Sequence, residues 1–118
     1  MSRRIEKVNE LLIQEVAKYI KEVIEDPDFG LVTVMGADAS PDLRSAKILV
    51  SVMGADPKRS LGVLNQNRFE IQRLLNRSLE MQHVPQIFFR LDETAKKAER
   101  LEKLFKKINQ HSGNDNSD

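Results

Sequence analysis

"SLGVLNQNRFEIQRLLNRSL", residues 60–79, is helical in pattern at both ends and patternless in the middle. Leu61 and Leu64 sit at helical spacing, and Ile71, Leu74, Leu75 and Leu79 resume it, but Asn65, Gln66, Asn67 and Arg68 intervene. The stretch reads as one helix or as two. No proline forces a break, and Gly62 lies too early to mark one. A bend here would expose backbone N–H groups that a straight helix keeps paired, so the answer bears on binding as well as fold.

The segments on either side are easier to read. Residues 3–25 place Ile5, Val8, Leu12, Val16, Tyr19, Ile20 and Val23 on one stripe at steps of three and four, which predicts a helix with Ser2 as its N-cap. "DPDFG" (26–30) ends it. "LVTVMGADA" (31–39) and "RSAKILVSVMG" (44–54) are β-branched and alternating, with Ala46, Ile48, Val50 and Val52 on one face and Lys47, Leu49, Ser51 and Met53 on the other. "SPDL" (40–43), with Pro41 and Asp42 at its centre, predicts a type I turn that makes the pair a hairpin.

Asp56 and Pro57 suit the N-cap and first position of the interrupted helical region. "HVPQIFFRLD" (83–92) predicts a third strand, in which Ile87, Phe89 and Leu91 alternate with Phe88 and Arg90. Asp92 is placed to cap a last helix over 93–108, with Ala98, Leu101, Leu104, Phe105 and Ile108 on its apolar side. Residues 109–118 contain no core-forming side chain and are expected to form a disordered polar tail. The expectation is therefore one domain over 1–108, of α+β class, with a three-stranded sheet covered by helices on one face.

Composition narrows the function. The chain has 118 residues, 40% of them hydrophobic, enough for one core. It has no cysteine, which excludes disulfides and thiolate metal sites and suits a reducing cytoplasm. The opening "MSRRIEKVNE" is charged at once and does not read as a secretory signal, and no stretch approaches a membrane span. A soluble cytoplasmic protein is expected.

Catalytic groups are hard to assemble. His83 and His111 are far apart in sequence and offer neither a metal pair nor a nucleophile with its base. Asp38 and Asp42 flank a turn and suit turn chemistry better than acid–base work. The five glycines are scattered and form no phosphate loop. No enzyme activity, cofactor or metal is expected. Phe88 is the only candidate for an exposed, base-stacking aromatic on the sheet, and core packing is the preferred reading for it.

Charge is more informative. The net charge is only +1, yet residues 1–56 carry 7 basic and 10 acidic side chains, residues 57–90 carry 6 and 2, and residues 91–118 carry 6 of each. The positive excess falls on the interrupted helical region, where a polyanion would feel it. Arg73 and Arg77, four apart, lie opposite the apolar stripe, with Lys58, Arg59 and Arg68 earlier in the region and Glu70 the one acid between Lys58 and Arg77. The last helix interleaves its lysines with Glu93, Glu99 and Glu102 and reads as a solvated face.

Three stretches, "RRIEKVNELLIQEVAKYI", "SPDLRSAKILVSVMG" and "LLNRSLEMQHVPQIFFRLDET", make the chain resemble the ribosome-binding factor A family over about residues 3–108. The resemblance implies a type II KH-like domain, α-β-β-α-kink-α-β, with an added C-terminal helix. It implies two helices over 57–79, meeting at a kink that matches Asn67, Arg68 and Phe69. There the family usually reads Ala-x-Gly, so Asn67 and Phe69 are departures. Because phenylalanine takes positive φ only at a cost, the kink is expected to shift towards Asn65–Asn67 or to be shallower. The Asn67 side chain is expected to cap the second helix, leaving binding to side-chain charge.

The function so implied is non-catalytic binding of 16S rRNA in free small (30S) ribosomal subunits, near the 5′-terminal helix region, during late maturation and rRNA processing. Mature 70S ribosomes and membranes are not expected partners, and the protein is expected to be a monomer. The expected RNA-binding set is Lys58, Arg59, Asn67, Arg68, Arg73 and Arg77, with Arg44 and Lys47 on the hairpin. The alternative is a protein-interaction module on the same fold without direct RNA contact.

Overall fold

The computed structural model describes residues 3–26 and 29–116, the side chains of 95–98 and 110–116 excepted. Ser2, expected to cap the first helix, and the Pro27-Asp28 break lie outside the described residues. The order is α1 (Arg3–Val23), β1 (Leu31–Ala39), β2 (Ser45–Met53), α2 (Pro57–Gln66), α3 (Arg68–Ser78), β3 (Gln86–Leu91) and α4 (Thr94–Asn116). The interrupted region is thus two helices.

The sheet has the spatial order β1-β2-β3, with β1 and β2 antiparallel and β2 and β3 parallel. A parallel neighbour needs a long crossover, and α2 with α3 supply it. The hairpin turn closes as expected, with Leu43 N–H donating to Ser40 O at 2.8 Å. Asp42 accepts from Ser40 Oγ and from Arg44 N–H, which holds its carboxyl below the usual value, the Ser40 bond having the larger effect. Leu43 follows at φ 59°, the one described non-glycine residue in the left-handed region.

Alternation in the strands decides the layers. Ala46, Ile48, Val50, Ile87 and Phe89 are buried and meet Val8, Leu12, Val16 and Ile20 of α1, Leu64 of α2 and Ile71 and Leu75 of α3. The opposite face of the sheet stays open to solvent, showing Met35, Lys47, Met53, Phe88 and Arg90. Met35 is the extra residue of a bulge, since the register shifts between Val34 and Gly36.

The start of α2 is locked to the end of the α1–β1 loop. Asp56 caps it through Lys58 N–H, Pro57 stands at the first turn, and the fully buried Ser60 hydroxyl donates to Phe29 O. Gly30, at φ +78°, packs so closely there that a Cβ would lie 2.7 Å from Ala55 Cβ.

The last helix departs from expectation. Leu101, Leu104, Phe105 and Ile108 are 52–61% exposed instead of buried against the sheet. The inner face is already occupied by α1, α2 and α3. Asp92 donates its N–H to Val50 O at 2.7 Å and accepts from Thr94 N–H and Oγ1, capping α4 where it leaves the sheet. The Cα radius of gyration is 18.8 Å, against about 13–14 Å for a compact domain of this length. The α4 backbone continues to Asn116, through most of the segment expected to be a tail, while side chains beyond Asn109 lie outside the described residues.

Candidate nucleic-acid interface

The break between α2 and α3 is one residue wide. Asn67 has φ −100° and ψ 6°, so neither it nor Phe69 needs a positive φ. Each helix is closed at the break by its own bonds: Asn67 N–H donates to Val63 O and Leu64 O at the end of α2, and Ile71 N–H donates to Asn67 O at the start of α3. The expected capping of α3 by Asn67 does not occur. Its Nδ2 instead donates back to Val63 O at 2.8 Å, closing α2, and makes no cap bond to α3. The Asn67 side chain therefore leaves the first turn of α3 without a side-chain cap.

The first two turns of α3 are fastened to the free edge of β3. Gln72 accepts from Ile87 N–H at 2.8 Å and donates to Pro85 O at 3.0 Å, and Arg68 Nη1 lies 3.4 Å from Ile87 O. These side chains occupy edge groups that would otherwise be open to another strand. The same contacts place Arg68 between two rings. Its guanidinium carbon is 5.1 Å from the centroid of Phe69 and 5.1 Å from that of Phe88, within cation–π range of both.

Both phenylalanines are solvent-facing. Phe89 is fully buried, whereas Phe88 is 36% exposed and Phe69 79%, so the preferred core reading of Phe88 is corrected. The cause is the strand's alternation: Phe89 takes the inner face, which leaves Phe88 on the outer one. Parallel pairing then sets Lys47 beside Phe88 and Leu49 beside Arg90 on that outer face. Arg90, whose Nη1 also donates to Phe89 O, was not among the expected cations. Its place on the same face as Phe88 was readable from spacing, but its nearness to Lys47 depends on the strand register.

Along α3, the exposed face continues from Phe69 to Arg73 and Arg77 at steps of four. Arg73 is not free: Nη2 and Nε reach the two carboxylate oxygens of Glu70 at 2.6 and 3.2 Å. That bond, with Coulomb attraction adding to it, lowers the Glu70 pKa and raises that of Arg73. Arg77 is exposed. The structure therefore brings Arg68 together with Phe69, Phe88 and Lys47 at the kink, adds Arg90 on the outer face of the sheet, and leaves Arg73 and Arg77 exposed one and two turns further along α3.

The remaining expected residues fall elsewhere. Lys58 and Arg59 are exposed at the start of α2, on the other side of the kink from α3 and about 12–14 Å along the helix from it. Arg44 is in the hairpin turn, 88% exposed at its side chain and 3.9 Å from Asp42. It borders a separate groove shared with Arg4, Lys7 and His83. Among the described residues, no three His, Cys, Asp or Glu side chains stand together as a metal site, and no helix is long and apolar enough to cross a membrane.

A three-stranded mixed sheet, with one helix before its hairpin and two kinked helices before its parallel strand, defines a KH-like α+β domain. The profile of the family described as "Ribosome-binding factor A" matches residues 4–105, and the chain belongs to that family of non-catalytic ribosome-binding factors. It is 35% identical over 111 residues to the ribosome-binding factor A of Desulforamulus reducens, covering 92% of each chain. It is 34% identical over 118 residues to that of Thermomicrobium roseum, covering 98% of this chain and 92% of the relative. The crystal structure of ribosome-binding factor A from Thermus thermophilus shares the fold, with a TM-score of 0.68 and 22% identity over 74% of this chain and 93% of that one. A Thermus thermophilus homology model of the factor, fitted into a cryo-EM map of a 30S complex, superposes with a TM-score of 0.63 at 23% identity, covering 71% and 90%.

Proposed function

We propose that the protein is a cytoplasmic assembly factor that binds free 30S subunits through 16S rRNA, without catalysis, and assists late maturation and rRNA processing. The observation that carries this reading, within the family, is the cluster of Arg68 with the exposed Phe69 and Phe88 rings beside Lys47, with Arg73 and Arg77 exposed one and two turns along α3 from Phe69. Cations at these positions suit phosphate contacts that give affinity and position, while the shape of folded RNA supplies specificity. The 30S complex of the Thermus thermophilus factor supports the same partner for this chain.

Lys58, Arg59 and Arg44 are peripheral in this reading, reached only by a wide RNA surface. The 5′-terminal helix region remains the proposed neighbourhood, and the protein acts as a monomer. Co-sedimentation tests the proposal. The tagged protein should travel with free 30S subunits at near-physiological salt and be nearly absent from intact 70S ribosomes. Equal recovery in both fractions would count against a maturation role. Failure to bind protein-free 16S rRNA would favour a protein-interaction module instead.

A further inference from the structure

Phe69 takes no part in the core, and among the described residues its one aromatic contact is with Arg68. It leaves 79% of its surface exposed and lies outside the core cluster. A ring is also a weaker helix former than the alternatives suited to an exposed first turn. What the fold does supply is a support for it: Arg68 lies over both the Phe69 and Phe88 rings and is tethered to Ile87 O. Through the bonds of Gln72 to Ile87 and Pro85, the helix that carries Phe69 is tied to the strand that carries Phe88. The cluster is therefore held in place before any ligand arrives.

We infer that Phe69, backed by Arg68 and Phe88, stacks an unpaired nucleobase of single-stranded RNA. The inference rests on the rRNA-binding reading above and names a subsite within it. A base offers a flat π-face to a ring or a guanidinium, and it brings phosphates on either side. Lys47, in register with Phe88, and Arg73, one turn along α3 from Phe69, stand where those flanking phosphates would pass. An apolar protein segment suits the site less well, because Lys47, Arg68, Arg73 and Arg90 surround the rings and Glu70 is already engaged by Arg73.

The chain contains no tryptophan, so Phe69→Trp introduces a single fluorophore at the site. Its emission should be quenched saturably by decaadenylate and not by an abasic ribose-phosphate decamer of equal charge. Phe69→Ala and Phe69→Leu, both checked by circular dichroism, should each bind decaadenylate and protein-free 16S rRNA on the order of tenfold more weakly, with the salt slope unchanged. Equal quenching by the two decamers would overturn the stacking subsite. So would a Phe69→Leu variant that binds as the wild type does, since leucine keeps the apolar contact and lacks the π-face. If the wild type binds 16S rRNA and Phe69→Ala binds it equally well, only the subsite fails; if the wild type binds neither RNA, the rRNA reading fails with it.

Discussion

The backbone N–H of Ile87 donates to the side-chain Oε1 of Gln72 at 2.8 Å, so a glutamine on α3 meets β3 where a fourth strand would otherwise pair. The Nε2 of the same glutamine donates to Pro85 O at 3.0 Å and to Asn76 Oδ1 at 3.1 Å. One side chain thereby occupies two groups of the β3 edge and ties α3 to the strand.

Replacing Gln72 with alanine should destabilise the domain by about 1–3 kcal/mol, because a part-buried N–H and a carbonyl lose their partners. Gln72→Glu should lose less, since a carboxylate still accepts from Ile87 N–H but cannot donate to Pro85 O. Urea denaturation checks both, with a lowered midpoint and an unchanged slope for each. Wild-type stability in Gln72→Ala would show that the edge is satisfied by other means.

Leu75 and Leu104 both lie on apolar helical stripes, but their burial is opposite, at 0% and 58% exposed. Leu75→Ala should cost about 2–5 kcal/mol as a core truncation. Leu104→Ala should stay within about 0.5 kcal/mol, as an exposed substitution does. Deleting residues 109–118, which bring no hydrophobic anchor beyond Ile108, should likewise leave folding and subunit binding intact. A large loss in Leu104→Ala would mean that α4 packs on the domain in solution.

Much of this arrangement is legible in the amino-acid sequence. The α1 stripe, the alternation of Ile87, Phe89 and Leu91, and the turn at Ser40–Leu43 follow from local periodicity and turn chemistry, which act over a few residues. The polar run 65–68 marks the kink, with the family resemblance deciding between one helix and two. The position of α4 is not legible, because an amphipathic stripe states that a partner is wanted but not which surface supplies it. Phe88 and Lys47 become neighbours only through the parallel register of β2 and β3, a relation between segments about forty residues apart that neither one encodes alone. The Glu70–Arg73 spacing is visible, but its bidentate geometry, and hence the muting of one cation in the patch, needs side-chain positions.

That pair has a signed consequence for pH. The Arg73 bond depresses the Glu70 pKa below its ordinary 4.5, so its contribution to stability is present above that value and lost as pH falls through the lower folded-state value. Glu70→Gln should therefore lose slightly less stability than the wild type between about pH 6 and pH 3, the difference being small because the pair is exposed. For RNA the sign reverses. Releasing Arg73 from its carboxylate should tighten binding and steepen the salt dependence, measured on free 30S subunits; weaker binding in Glu70→Gln would show that Arg73 needs its partner for orientation.

The charge-reversal experiment separates the face around the kink from basic composition in general. Changing Arg73 and Arg77 together to glutamate alters two exposed positions on α3, and the fold should survive with changes of about 0.5 kcal/mol each. Binding should not. Each phosphate left without its cation lowers the magnitude of the log–log salt slope by roughly one. Arg77 should contribute that full change and Arg73 less, because it already shares its charge with Glu70; the pair should reduce the slope by about one to two. The control changes Lys103 and Lys107 to glutamate, both exposed on the outward-turned α4, with the same change in total charge. After confirming native circular dichroism, both variants would be titrated against free 30S subunits over a salt series, and only the α3 variant should lose affinity and slope. Equal losses would reduce the effect to total charge. If neither loses affinity, the RNA contact moves to the opposite groove, where Arg4, Lys7 and Arg44 converge beside the hairpin turn.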